Sequence, residues 1–277
     1  MLNYVGRSIL TVVALVAFSL SLLAQTAAGQ RPGGARSTPD LSGIWHAGGR
    51  LTGPGALPGG PGDSFGGLPA VRFTRQEPSL RPWALEKYRA RREGAEPTAQ
   101  GRGELDPALY PYCIPRGFPR VYMFDGFFEL VQTPNRIYML FELEHQVRRI
   151  YLDGRKHLEN SPPSLMGVSH GRWDGETLVA ETTNLESLNR NGWLDAFGHP
   201  FSEAMRVTER IRRTAPDTLQ IDFVFDDPET YTRPWTGRKL FRLGDPEWDV
   251  MDLRLCEDHQ YEDYLRDIGG GKPAGRP

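Results

Sequence analysis

Cysteine is nearly absent, with Cys113 and Cys256 the two in 277 residues. Neither belongs to a Cys-x-x-Cys pair, so a thiol redox motif is excluded. Surplus positive charge is missing as well: the net charge is −2. Nucleic acid and anionic membranes need a concentrated basic surface and are not expected partners. No histidine pair has helix-type zinc spacing, and no Gly-rich phosphate loop follows a strand and opens a helix; neither a metal nor a nucleotide cofactor is expected. Strands do not alternate with helical segments, which removes the usual route to a parallel sheet.

One apolar run stands out, residues 9–23, preceded by Arg7 and followed by the small residues 24–29. That is the design of a secretory signal, and the run is shorter than the ~20 residues a membrane span prefers. The expectation is a periplasmic or secreted chain starting near Gln30, with no stable membrane insertion after cleavage. In an oxidising compartment an even cysteine pair reads as one Cys113–Cys256 disulfide, for which loop entropy suggests on the order of 5 kcal/mol. Two buried thiols are the alternative.

Residues 47–70 hold nine Gly and four Pro, too little apolar surface to order helix or sheet, and read as a long loop. Residues 82–93, opened by Pro82, are the best helix candidate, a short surface element. Beyond them the dominant pattern is alternation. Asp125-Gly126, Asp153-Gly154 and Asp174-Gly175 lie between β-prone runs, each a signal for a two-residue turn. Strands are expected at 41–45, 127–132, 137–141, 146–151, 168–173, 177–183, 205–213, 219–226, 240–243 and 250–256. The fold class is therefore all-β: an antiparallel barrel over 30–268, after a signal peptide at 1–29 and before a disordered tail at 269–277. Its core should include Trp45, Ile137, Phe141, Ile150, Trp173, Leu178, Ile221 and Phe223.

Ser42-Gly43-Ile44-Trp45, at the front of the first strand, resembles the opening of lipocalins and other calycins, and that resemblance implies a calycin-like barrel with the Trp plugging one end. A wider likeness runs through Cys113-Ile114-Pro115-Arg116-Gly117-Phe118-Pro119-Arg120, Asp153-Gly154-Arg155-Lys156-His157, Ser169-His170-Gly171-Arg172-Trp173-Asp174-Gly175, Val207-Thr208-Glu209-Arg210 and Asp227-Pro228-Glu229-Thr230-Tyr231. On these motifs the chain is similar to a group of uncharacterised exported bacterial proteins, and the likeness brings no reaction with it.

Candidate chemistry rests on side chains that strands do not otherwise require. Ser169 sits in a Gly-x-Ser-x-Gly string, but a nucleophile elbow needs strand, turn and helix, and here the serine precedes a strand and a turn. Close packing at the glycines is the plainer reading. His157, His170 and His199 fall at a hairpin end, in a strand and in a loop, where they could converge on a barrel mouth and exchange protons near neutral pH. Glu209 lies in a strand, and Arg149, Arg210 and Arg212 are candidate partners for an inward carboxylate. Trp193, Tyr231 and Trp235 belong to aromatic, turn-rich loops able to cover a ligand. Two functions are expected from these residues. One is a barrel binding a small apolar or aromatic molecule through Arg149, Ser169, Trp193, Tyr231 and Trp235. The other is a cofactor-free lyase, hydratase or isomerase using His157, His170, His199 and Glu209.

Overall fold

The computed structural model describes residues 38–47, 63–64, 68–69, 72–93, 114–123, 126–156 and 161–248. The expected signal peptide, the tail, Cys113, Cys256, His157 and the strand at 250–256 lie outside the described residues, as does most of 47–70. Within that Gly/Pro-rich segment, two-residue strands β2 (Asp63–Ser64) and β3 (Leu68–Pro69) pair with each other.

Nine strands close a barrel. They are β1 (Gly43–His46), β4 (Phe127–Gln132), β5 (Arg136–Phe141), β6 (Val147–Tyr151), β7 (Val168–Asp174), β8 (Thr177–Thr183), β9 (Arg206–Ala215), β10 (Thr218–Asp226) and β11 (Trp235–Leu243). Around the wall the order is β1, β11, β10, β9, β8, β7, β6, β5, β4, with β4 returning to β1. Closure leaves no free edge along the ring, which is how an all-β chain avoids edge-to-edge association. One α-helix, α1 (Pro82–Glu93), occurs among the described residues, with the bounds the sequence predicts.

Turn chemistry explains part of this connectivity and not all of it. Asp174-Gly175 closes the β7–β8 hairpin with Gly175 at φ 60°, as the sequence predicts. Asp153-Gly154 does not close a hairpin: β6 and β7 run parallel, and parallel neighbours cannot be joined by a two-residue turn. Asp125-Gly126 follows a 3-10 turn (Arg120–Met123) rather than a strand. Strand β11 starts at Trp235, earlier than the expected 240, since its pairing with β10 extends to Phe225↔Trp235.

Alternation sets the core. Leu219, Ile221, Phe223 and Phe225 of β10 face inward and are buried, as are Trp45, Ile137, Phe141, Ile150 and Leu178. Trp173, near the β7–β8 turn, is only partly buried and packs against this cluster. Trp45 is fully buried; its Nε1 donates to the Leu41 carbonyl at 3.0 Å, and the Arg213 guanidinium lies 4.9 Å from its ring centroid.

The lumen is filled from the chain's own middle. Residues 114–123 enter it, anchored where the Gly117 N–H donates to Gln146 Oε1 at 2.8 Å and the Arg116 guanidinium pairs with Glu144 at 2.6 Å. Gly117 has φ 67°, and a Cβ there would stand 2.4 Å from the Leu165 carbonyl oxygen, so a side chain is excluded on both grounds. Tyr122 then sits among Phe128, Phe141, Phe223 and Phe241, ring centroids 5.6–6.1 Å away. Burial of each such ring stabilises by about 1.5–3 kcal/mol.

Candidate functional site

Two polar assemblies are built on this frame. The first lies inside the barrel. On β6 the alternation turns Arg148 and Ile150 inward and leaves Arg149 exposed. A lone buried guanidinium is prohibitive, and Arg148 is answered on every side. Its Nη1 donates to Tyr122 Oη at 2.7 Å and to Glu209 Oε1 at 2.9 Å, and its Nη2 makes a very short contact with Glu209 Oε2. Nη2 also reaches Thr182 Oγ1 at 3.0 Å, while Nε donates to Ser169 Oγ at 3.2 Å; Ser169 and Thr182 bond to each other at 2.8 Å. The Tyr122 hydroxyl donates to Glu209 Oε1 at 3.2 Å. Burial holds the Tyr122 phenol well above its usual value, so it is neutral. The set is sealed from solvent, with Arg148 and Glu209 side chains 1% and 0% exposed. It locks the segment carrying Tyr122 to β6, β7, β8 and β9.

The second assembly caps the end of the barrel where β8 gives way to β9. His199 Nδ1 bonds Asp195 Oδ2 at 2.8 Å, its Nε2 bonds Glu77 Oε2 at 2.8 Å, and its ring stacks on Tyr88 of α1 with centroids 4.4 Å apart. Asp195 Oδ1 also accepts the backbone N–H groups of Phe197 and His199. Burial alone would lower the imidazole's pKa; the Asp195 charge and bond, then Glu77, raise it to about 9. Burial likewise works against the Asp195 charge, and His199 overturns it, holding that carboxyl below its usual value. His199 is thus an imidazolium donating to two carboxylates at neutral pH.

Loop 184–205 takes an unusual path here. Leu188, Asn189 and Arg190 are consecutive left-handed residues, φ 54°, 54° and 65°, a conformation costing roughly 1–2 kcal/mol per non-glycine residue. Arg91 of α1, 1% exposed, holds the loop by donating to the carbonyls of Gly192 (3.1 Å), Gly198 (2.9 Å) and Arg190 (3.2 Å). Trp193 stacks between this guanidinium and that of Arg120, 5.4 and 5.3 Å from its ring.

Three spaces open near these elements. A cavity of about 20 Å³ between Trp193, Arg120, Phe118 and Phe201 has room for about one water. A groove of about 510 Å³ runs beside Phe73, Phe223 and Val224, with Asp222 and Arg238 along it. A pocket of about 270 Å³ adjoins that groove, sharing Thr74 and Thr236 with it and adding Glu77, Arg233 and Trp235. Gly237 permits the groove's inner wall: a Cβ there would stand 2.5 Å from Phe73 Cβ.

Of the residues singled out from sequence, Glu209 and Ser169 meet inside the barrel through Arg148. His199 joins a different network, with Asp195 and Glu77. His170 lies on β7 next to inward Ser169, paired across the strands with Glu181 and edge-on to Tyr151 at 6.1 Å. Arg149 is on the outer wall. Tyr231 is buried, donating to the Pro200 carbonyl at 2.9 Å, and Trp235 stacks on Phe225 at 4.1 Å. The Ser169 string serves close packing: a Cβ on Gly171 would stand 2.8 Å from Ile150 Cγ2. Sequence reasoning misses Arg148, Tyr122, Asp195 and Glu77. Only the four-residue spacing of Asp195 and His199 offered a local signal.

Among the described residues, no three His, Cys, Asp or Glu side chains are arranged to hold a metal, and no helix is long and apolar enough to cross a membrane. Comparison with protein-family models, curated proteins and solved structures finds no match.

Proposed function

We propose that this chain is an exported β-barrel protein that binds a small apolar or aromatic molecule in the groove beside Phe73. The groove carries the reading: its volume of about 510 Å³ falls within the roughly 300–1,000 Å³ of small-molecule sites. Val224, which lines it, is 40% exposed although large and hydrophobic, and the buried rings of Phe73 and Phe223 adjoin it. The barrel's centre is occupied by Tyr122 and its rings, so the binding surface is the groove along β10 and β11 and not the lumen.

Thermal-shift screening with small aromatic and terpenoid-like molecules tests this, followed by titration of the best ligand into Val224→Asn. An exposed position tolerates the change with little loss of stability. Affinity should fall about fivefold, the loss of one apolar contact. A ligand bound with unchanged Kd would place the site elsewhere.

Export and the Cys113–Cys256 bridge belong to the same proposal, supported by the N-terminal design and the even cysteine pair. With a net charge of −2, the proposed partner is a small molecule and neither nucleic acid nor membrane. Intact-mass analysis of protein taken from the periplasm should show a mature start near Gln30 and no alkylatable thiol. A retained N-terminus with two alkylatable cysteines contradicts both parts.

A second reading, cofactor-free acid/base catalysis, is favoured by one arrangement, the His199–Asp195 pair. A substrate would have to displace Glu77 from Nε2, and the imidazolium would then act as the acid.

A further inference from the structure

We propose that the molecule bound in the groove is a small amphipathic monocarboxylate, its apolar body against Phe73 and Val224 and its carboxylate in the adjoining pocket at Arg233 and Trp235; this rests on the groove reading above. The two spaces share Thr74 and Thr236 in their walls. Along them two donors are unanswered among the described residues, one charged and one neutral. Asp222 pairs with Arg238, and Glu77 accepts from His199, Tyr88 and Arg72. Arg233, which lines the pocket, has no ion pair or hydrogen bond among the described residues. Trp235 lines it too, and its Nε1 is buried with no acceptor among them.

A buried N–H without an acceptor is unfavourable, and a guanidinium fork suits a planar carboxylate. One carboxylate answers both donors: one oxygen for the indole N–H, the other for Arg233, with the hydroxyls of Thr74 and Thr236 at the junction. Glu77 decides the charge of the guest. Its carboxylate shares the pocket and is paired with His199 and Arg72, so the pocket's one guanidinium unpaired among the described residues, Arg233, matches a monoanion better than a phosphate dianion.

The test titrates the folded mature chain with a phenylalkanoic acid, its primary amide and the corresponding phosphate monoester. The acid should bind about tenfold more tightly than the amide, the gain of a charge-assisted hydrogen bond. Arg233→Gln, at an exposed position, should erase that ratio. Trp235→Phe keeps the ring on Phe225 and removes only the N–H, so acid affinity should fall severalfold while the melting temperature holds or rises. Val224→Asn should weaken acid and amide alike. If acid and amide bind equally, or Arg233→Gln leaves their ratio intact, the carboxylate assignment fails while Val224-sensitive binding keeps the groove reading. Tighter binding of the phosphate ester than of the acid also overturns the assignment. Should Trp235→Phe unfold, Arg233→Gln alone decides. Binding insensitive to Val224→Asn removes the groove and the inference together.

Discussion

Glu209→Ala should destabilise the barrel by about 3–5 kcal/mol, read as a lower denaturation midpoint at unchanged slope. The reason is the partner left behind. Arg148 is 1% exposed and spends Nη1 and Nη2 on Glu209; without the carboxylate, a guanidinium and the Tyr122 hydroxyl remain in an aromatic interior. The double replacement Arg148→Met with Glu209→Leu should recover most of the loss, because a buried ion pair exchanged for apolar volume is often neutral. A loss under ~1 kcal/mol in the single variant would mean that water reaches this pair.

Stability should also fall as pH rises from about 6.5 to 10. His199 titrates near 9 in the folded protein against an ordinary value of 6.5. A raised histidine contributes its full stabilisation below the unfolded value and loses it as pH climbs through the folded one. The shift corresponds to something on the order of 3 kcal/mol. Of the groups facing His199, the two carboxyls have the opposite dependence, and Tyr88 adds a smaller loss of the same sign that begins only as pH nears 10. Asp195 and Glu77 are both depressed, so their stabilisation is present at neutral pH and lost on acidification; Tyr88 is pushed up to about 12 by burial and by Glu77. Arg72 pairs with Glu77, and the Arg92 charge acts on Tyr88. Urea titrations at pH 6.5 and 10 measure the loss, and His199→Gln should be less stable at 6.5 and nearly flat between the two. An equal slope in both proteins would assign the dependence to another group.

How far the site could be read in advance differs between its two assemblies. Glu209 was visible as a carboxylate within a strand, and an arginine partner was expected, yet the partner is Arg148 and not its neighbour Arg149. In a strand, adjacent side chains point to opposite faces, so a phase error of one residue exchanges the buried arginine for the exposed one. Tyr122 was invisible for another reason. Nothing local in residues 114–123 shows that this segment fills the lumen; its environment comes from β4, β5, β10 and β11, which follow it in the chain. Glu77 and His199 meet across |i−j| of 122, beyond any spacing rule.

Short-range chemistry is what the chain determined alone. Alternation along β10 placed Leu219, Ile221, Phe223 and Phe225 on one face, Asp174-Gly175 supplied the tight turn of β7–β8, and Pro82 opened α1. Each depends on residues within a few positions of one another, where sterics and period-two geometry act without tertiary help. The tertiary structure alone decided that β6 and β7 run parallel, which of two arginines faces in, and that residues 114–123 fill the barrel. It also decided that the open surface lies beside Phe73 along β10 and β11. Those outcomes depend on closure of the sheet and on which distant groups could satisfy a buried charge, and neither quantity is encoded in any local stretch.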